Sequence, residues 1–167
     1  VQDNAGAVHL VLASDLDLTD GEHTMDVTEA SYTFVGETRN KYFGYYSASA
    51  GDIDNDGLSD ILVTEINPTK RVHIFLGRSL GTDTELRASD SDYVITGTRN
   101  FGTAIASAGD INGDEHDDII IGDYENDTAG YQAGSAYVFL GSNFGAVRER
   151  TEDEADYKIT GAYPYDY

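Results

Sequence analysis

Asp52-Ile53-Asp54-Asn55-Asp56-Gly57-Leu58-Ser59-Asp60 is the stretch from which the rest of the chain is read. It sets Asp at positions 1, 3, 5 and 9, with Gly at position 6. In a tight loop the odd-numbered side chains converge on one side. Several carboxylates gathered there make a hard, all-oxygen cage, whose chemistry suits Ca²⁺ better than Zn²⁺ or Cu²⁺. Gly57 supplies a left-handed turn at low steric cost, and Leu58 stands where a backbone carbonyl completes the set. The candidate ligands are therefore Asp52, Asp54, Asp56, Leu58 (through its carbonyl) and Asp60. The pattern returns as Asp110-Ile111-Asn112-Gly113-Asp114-Glu115-His116-Asp117-Asp118, with candidates Asp110, Asn112, Asp114, His116 (again through its carbonyl) and Asp118. Two Ca²⁺ sites are the expectation.

An EF-hand would need a bidentate Glu at position 12 and a helix on each side. Position 12 is Val63 in one copy and Ile121 in the other. The runs Ile61-Leu62-Val63 and Ile119-Ile120-Ile121 read instead as buried strands. Each loop thus joins two strands.

The chain repeats around these loops. Val8-His9-Leu10-Val11-Leu12-Ala13, Val72-His73-Ile74-Phe75-Leu76-Gly77 and Ala136-Tyr137-Val138-Phe139-Leu140-Gly141 align at a spacing of 64 residues. Tyr32 to Gly36, Tyr93 to Gly97 and Tyr157 to Gly161 form a second set. Each period holds four short strands: A (about 42–50 and 101–108), B (60–64 and 118–122), C (7–13, 71–76 and 135–140) and D (31–36, 92–97 and 156–161). The metal loop joins A to B. Strand A has small side chains suited to a crowded convergence of sheets. Strand B is apolar on both faces, as a strand between neighbouring sheets should be. The acidic C-to-D connections, Ser14 to Ala30, Arg78 to Asp90 and Ser142 to Glu154, read as exposed loops. No segment carries a helical period.

Repeated four-stranded units of this length predict an all-β fold of β-propeller blades. The resemblance then becomes specific. Phe43-Gly44 and Phe101-Gly102 lead into an Ala-rich strand, Gly-Asp, the acidic loop and an apolar strand, a pattern that resembles the FG-GAP repeats of integrin α subunits. The resemblance implies calcium at both loops and an extracellular or cell-surface propeller that serves as a non-catalytic scaffold for adhesion or assembly. The chain departs from the family at Thr64-Glu65-Ile66 and Gly122-Asp123-Tyr124, where a Gly-Ala-Pro element belongs, and at Glu115, where the family has Gly. A Glu at positive φ costs on the order of 1 kcal/mol.

The expected division is residues 1–41 as the closing C and D strands of one blade, 42–97 as a first full blade, 98–161 as a second, and 162–167 as the start of the next linker. Ten strands make two blades and a half, which leaves the propeller open. The missing blades are expected from a longer chain or from identical neighbouring copies, so a self-assembling, fibre-forming protein is an alternative reading. Val1 in place of Met agrees with a trimmed piece.

Composition narrows the partners. The 167 residues carry 31 acidic and 10 basic side chains, a formal charge of −21. That disfavours nucleic acid, whose binding rests on Lys and Arg, and an anionic membrane surface. No apolar run reaches the ~20 residues of a membrane span. The absence of cysteine excludes disulfides and thiolate metal sites. His9 and His73 share one slot of strand C and read as packing positions, while His23 has no partner in view. No catalytic triad assembles by spacing. A calcium-dependent polysaccharide hydrolase or lyase, or a lectin, stays open as an alternative, as does a protein or glycan ligand. Asn126-Asp127-Thr128 is the usable sequon, expected on an exposed loop and open to N-glycosylation. Asp15 to Gly21 reads as a solvated acidic loop rather than a third cation site.

Overall fold

The computed structural model describes residues 5–16 and 24–165. The segment Asp17 to Gly21 of the acidic first connection lies outside them, as does His23. The described residues form twelve strands in three sheets with no α-helix. Sheet one joins β1 (Ala7–Leu10), β2 (Tyr32–Val35) and β6 (Glu85–Arg87). Sheet two has the order β11-β7-β5-β4-β3, built from β3 (Ser47–Gly51), β4 (Asp60–Glu65), β5 (Lys70–Phe75), β7 (Tyr93–Gly97) and β11 (Glu149–Thr151). Sheet three has the order β12-β10-β9-β8, from β8 (Ala104–Gly109), β9 (Asp118–Asp123), β10 (Ser135–Phe139) and β12 (Tyr157–Thr160). These are β-propeller blades, and the sheets do not close into a ring.

Two strands were not foreseen. β6 and β11 lie in the acidic connections that read as loops, and each pairs in parallel with the outer strand of the preceding sheet. β6 lies along β2, and β11 along β7. The reason is burial: Leu86 sits between exposed Glu85 and Arg87 and packs into the core beneath sheet one. Three residues are too few for a periodic signal. Sheets one and two thus each take their outermost strand from the following repeat. Strand A is also shorter than expected, because Tyr42 and Gly44 adopt positive φ (53° and 79°), so the chain turns at Phe43-Gly44 and the regular strand begins only at Ser47. Strand C of the first repeat ends at Leu10, and Ala13–Asp15 form a 3₁₀ turn.

Two cores lie between the sheets. Alternation along β4 sends Leu62 to one face, with Ile61 and Val63 on the other. Leu62 joins Val72, Ile74, Ile95, Phe101, Ile119, Ile121, Tyr137 and Phe139 between sheets two and three. Val63 joins Phe34, Phe43 and Phe75 between sheets one and two. Phe43 and Phe101, the aromatic members of the Phe-Gly pairs, meet the ring of the strand-C slot edge-on: His73 at 5.4 Å in one repeat, Tyr137 at 5.4 Å in the next.

Candidate metal centre

Loop one joins β3 to β4, and loop two joins β8 to β9. A bulge precedes each, at Ser49/Gly51 and Ser107/Gly109. It re-aims the chain so that the loop bends across the end of its hairpin. Two left-handed residues set the bend, and the repeats divide them differently: Asn55 (φ 55°) and Gly57 (φ 88°) in loop one, Gly113 (φ 79°) and Glu115 (φ 72°) in loop two. Glu115 therefore does occupy the conformation that glycine fills in loop one.

The first and last carboxylates tie each loop to itself. The Asp52 carboxylate accepts the N–H groups of Asp56 (2.9 Å) and Gly57 (2.8 Å). Asp110 likewise accepts those of Gly113 (2.7 Å), Asp114 (3.0 Å) and Glu115 (2.9 Å). Asp60 is fully buried and takes the N–H groups of Ile53 and Gly77, each at 2.8 Å. Asp118 does the same with Ile111 (3.0 Å) and Gly141 (2.9 Å). Position 9 thus closes the loop and pins it to the start of the following turn in both copies.

The middle of the loops differs. Oxygens of Asp52, Asp54 and Asp60 lie within 4.8 Å of one another. Asp54 Oδ1 is buried with no hydrogen-bond donor, and Oδ2 faces the guanidinium of Arg78 as an ion pair. Asp56 is exposed, its Oδ1 accepting the N–H of Leu58 at 2.8 Å, and Leu58 stands at the exposed tip. Burial pushes the Asp54 carboxyl up; Arg78 pulls it back, and Asp56 and Asp52 push it further up. Burial likewise raises Asp60, to about 6, against the pull of its two backbone donors. In loop two, by contrast, Asp110, Asp114 and Asp118 form no comparable cluster among the described residues. Asn112 replaces Asp54 and turns its Nδ2 to Asp114 Oδ2 at 2.8 Å, and Ser142 Oγ donates to the same oxygen at 2.5 Å. The His116 N–H reaches Asp114 Oδ1 at 3.1 Å. Asp114 is held below the usual carboxylate range, first by Ser142 and then by Asn112; Asp110 is held low by the Glu115 N–H.

The loops also clasp each other. Asp52 N–H donates to Asp117 Oδ2 and Asp117 N–H to the Asp52 carbonyl, each at 2.9 Å. His116 Nδ1 lies 2.9 Å from the Ile53 carbonyl, which fixes its proton on Nδ1. The approach requires glycine: a Cβ on Gly51 (φ +77°) would stand 2.1 Å from Asp117 Oδ2, and one on Gly141 would stand 2.3 Å from the Asp117 carbonyl. Asp117 was not among the residues expected from the sequence. Its signal is the doubled Asp117-Asp118 where the first repeat has Ser59-Asp60.

Elsewhere, His73 is 4% exposed with Nδ1 3.2 Å from Ser91 Oγ, and burial, helped by Arg71, lowers its pKa to about 4. His9, in the same slot, is exposed and bonds Thr33 Oγ1 at 3.0 Å. The expectation of an exposed sequon fails. Asn126 is 6% exposed, and its Nδ2, the atom a glycan would modify, donates to Tyr137 Oη at 3.0 Å. The connection between β9 and β10 folds back and seats this amide inside.

Comparison with known proteins agrees with this architecture. A sequence model of the FG-GAP-like repeat family matches residues 52–121, which take in both loops and the strands between them. Residues 52–121 are FG-GAP-like repeat sequence of the integrin α type. The chain is 34% identical to integrin alpha-5 of Xenopus laevis over 124 residues, covering 66% of this chain and 11% of that protein. It is 37% identical to integrin alpha-8 of Mus musculus over 103 residues (53% and 9%), and 28% identical to integrin alpha-PS2 of Drosophila melanogaster over 148 residues (80% and 10%). The chain thus spans about a tenth of the length of these relatives. No helix among the described residues is long and apolar enough to cross a membrane.

Proposed function

We propose that this chain is a calcium-stabilised portion of an FG-GAP propeller, non-catalytic, serving adhesion or assembly outside the cell or at its surface. The observation that carries the reading is the Asp52–Asp54–Asp60 cluster, with the buried Oδ1 of Asp54 left without a donor. An orphaned buried carboxylate oxygen is costly unless a cation meets it. The donor set is all oxygen, which fits Ca²⁺. In loop one Asp52, Asp54, Asp56, the Leu58 carbonyl and Asp60 would hold the ion; in loop two, Asp110, Asn112, Asp114, the His116 carbonyl and Asp118. A bound ion supplies the positive charge that offsets repulsion among the carboxylates. The chain itself contributes the bend, the closing hydrogen bonds of Asp60 and Asp118, and the Asp117 clasp that links one loop to the next.

Partners follow from an internal template. Ile53 of loop one and Tyr93 and Ile95 of sheet two are 0%, 9% and 0% exposed beneath sheet three. Their repeat mates Ile111, Tyr157 and Ile159 are 54%, 58% and 59% exposed. We read the partner of this face as a further unit of the same kind, from a longer chain or from an identical copy, with residues 1–41, 42–97 and 98–161 as a half blade and two blades. The adhesive ligand itself would be protein or glycan.

The test is thermal unfolding with and without chelator. Ca²⁺ at ten times its dissociation constant adds about 1.4 kcal/mol per site, so chelation lowers the melting temperature and Asp54→Ala removes the loop-one share. A melt indifferent to chelator overturns the reading.

A further inference from the structure

We infer that Arg78 is a tethered counter-cation of loop one, matched to Asp54, the carboxylate whose place Asn112 takes in loop two, and that it sets the affinity of the site for divalent cations. The inference rests on the calcium reading above and deepens it.

The two repeats supply the argument. Loop one carries four candidate carboxylates, Asp52, Asp54, Asp56 and Asp60; loop two carries three, because Asn112 stands in the place of Asp54. The 3₁₀ turn that follows strand C passes beside each loop, Gly77–Ser79 in one repeat and Gly141–Asn143 in the other. Its middle residue is Arg78 beside loop one and Ser142 beside loop two. Both middle residues reach their loop, but at different carboxylates. Arg78 contacts Asp54 Oδ2, whereas Ser142 donates to Asp114 Oδ2. The pair Asp54/Arg78 thus exchanges for Asn112/Ser142, and counted over the candidate ligands and the turn residue alone the charge is −3 in both repeats, while Glu115 and Asp117 add two further acids to loop two. The turn is fixed in place independently of the ion pair, because Gly77 N–H is held by Asp60 and Ser79 Oγ by Asp92, each at 2.8 Å. The guanidinium is therefore delivered to the cage by rigid backbone, with about half of its side chain still exposed (53%).

A fixed positive charge at that place satisfies one oxygen of Asp54 and leaves Oδ1 for a cation. It also repels any ion that enters. At roughly 6 Å in water-like dielectric a unit charge repels a divalent ion by about 1.4 kcal/mol, a factor of ten in affinity, which exposure and salt reduce to about threefold to tenfold.

The experiment is calorimetric titration with CaCl₂ of chelator-stripped wild type, Arg78→Ser, Arg78→Lys, Asp54→Asn and Asp54→Asn/Arg78→Ser, at low and at 0.3 M salt. Arg78→Ser is expected to tighten one of the two sites about threefold to tenfold, with the gain shrinking at high salt, while Arg78→Lys stays near wild type. Asp54→Asn should weaken that site, and the double variant should fall back toward wild type. Unchanged or weaker binding in Arg78→Ser, with wild type still binding, overturns the role of Arg78 alone. Binding indifferent to Asp54→Asn, or absent from every form, removes the loop-one site and this inference with it. Cation-free melts of the same proteins show whether each variant folds.

Discussion

In loop one, Asp54 pairs with Arg78, and burial raises both Asp54 and Asp60. In loop two, the corresponding Asn112 donates to Asp114, Ser142 joins it, and the exposed carboxylates Asp110 and Asp114 are held low by hydrogen bonds. Two loops of one repeat have therefore reached different solutions to the same crowding of acids. One draws three carboxylates close together and leaves an oxygen waiting for a cation. The other spreads hydrogen bonds until its acids are satisfied by the chain itself. The lesson is that a ligand pattern read by position does not report how far each site depends on its ion. That depends on the residue at position 3 and on the turn that faces it.

The comparison breaks first at what the loops share. Asp60→Ala and Asp118→Ala each strand one buried and one half-buried N–H group, and charge-assisted hydrogen bonds contribute about 1.5–3 kcal/mol apiece. Each should cost about 3–5 kcal/mol in urea unfolding; a silent change in either loop would refute the common closing role. The strand-C slot comes next. His73 folds with a pKa of about 4, below its unfolded 6.5. The unfolded chain thus takes up the proton more readily, and stability is lost as pH falls from about 6.5 through about 4, on the order of 3 kcal/mol in all. His73→Phe should flatten that part of the stability–pH curve, whereas an equal slope in the variant would place the dependence elsewhere. Asp117→Ala leaves the Asp52 N–H without its acceptor and should cost about 2 kcal/mol. It should also slow the exchange of no amide and speed that of Asp52, which hydrogen exchange reads directly. The smallest effect sharpens the difference in backbone: Glu115→Gly should stabilise by about 1 kcal/mol, since φ is 72° there. The opposite sign would mean that the Glu115 side chain contributes more than its strain.

Much of this was legible in the chain. The 64-residue spacing, the apolar run Ile61-Leu62-Val63 and the paired loops gave strands, order and repeat, because apolar runs and turn chemistry are local signals. The positive φ of Glu115 followed from its place opposite Gly57. The parts that stayed hidden depend on partners distant in sequence. Glu85-Leu86-Arg87 is a strand only because β2 offers it an edge and Phe34 with Val63 offer Leu86 a core. Asn126 looked like surface until Tyr137 took its amide. Asp117 looked like one more acid beside a cage, and its work is done on Asp52, 65 residues away.

The parallel strands β6 and β11 carry a consequence of their own. Since sheets one and two are each finished by a segment borrowed from the repeat that follows, the unit that folds is offset from the unit that repeats. Cutting the chain at a repeat boundary would strip an edge from one sheet and orphan a strand on the next. Neighbouring blades are woven like the strands of a braid, and their unfolding should be cooperative across the seam rather than blade by blade.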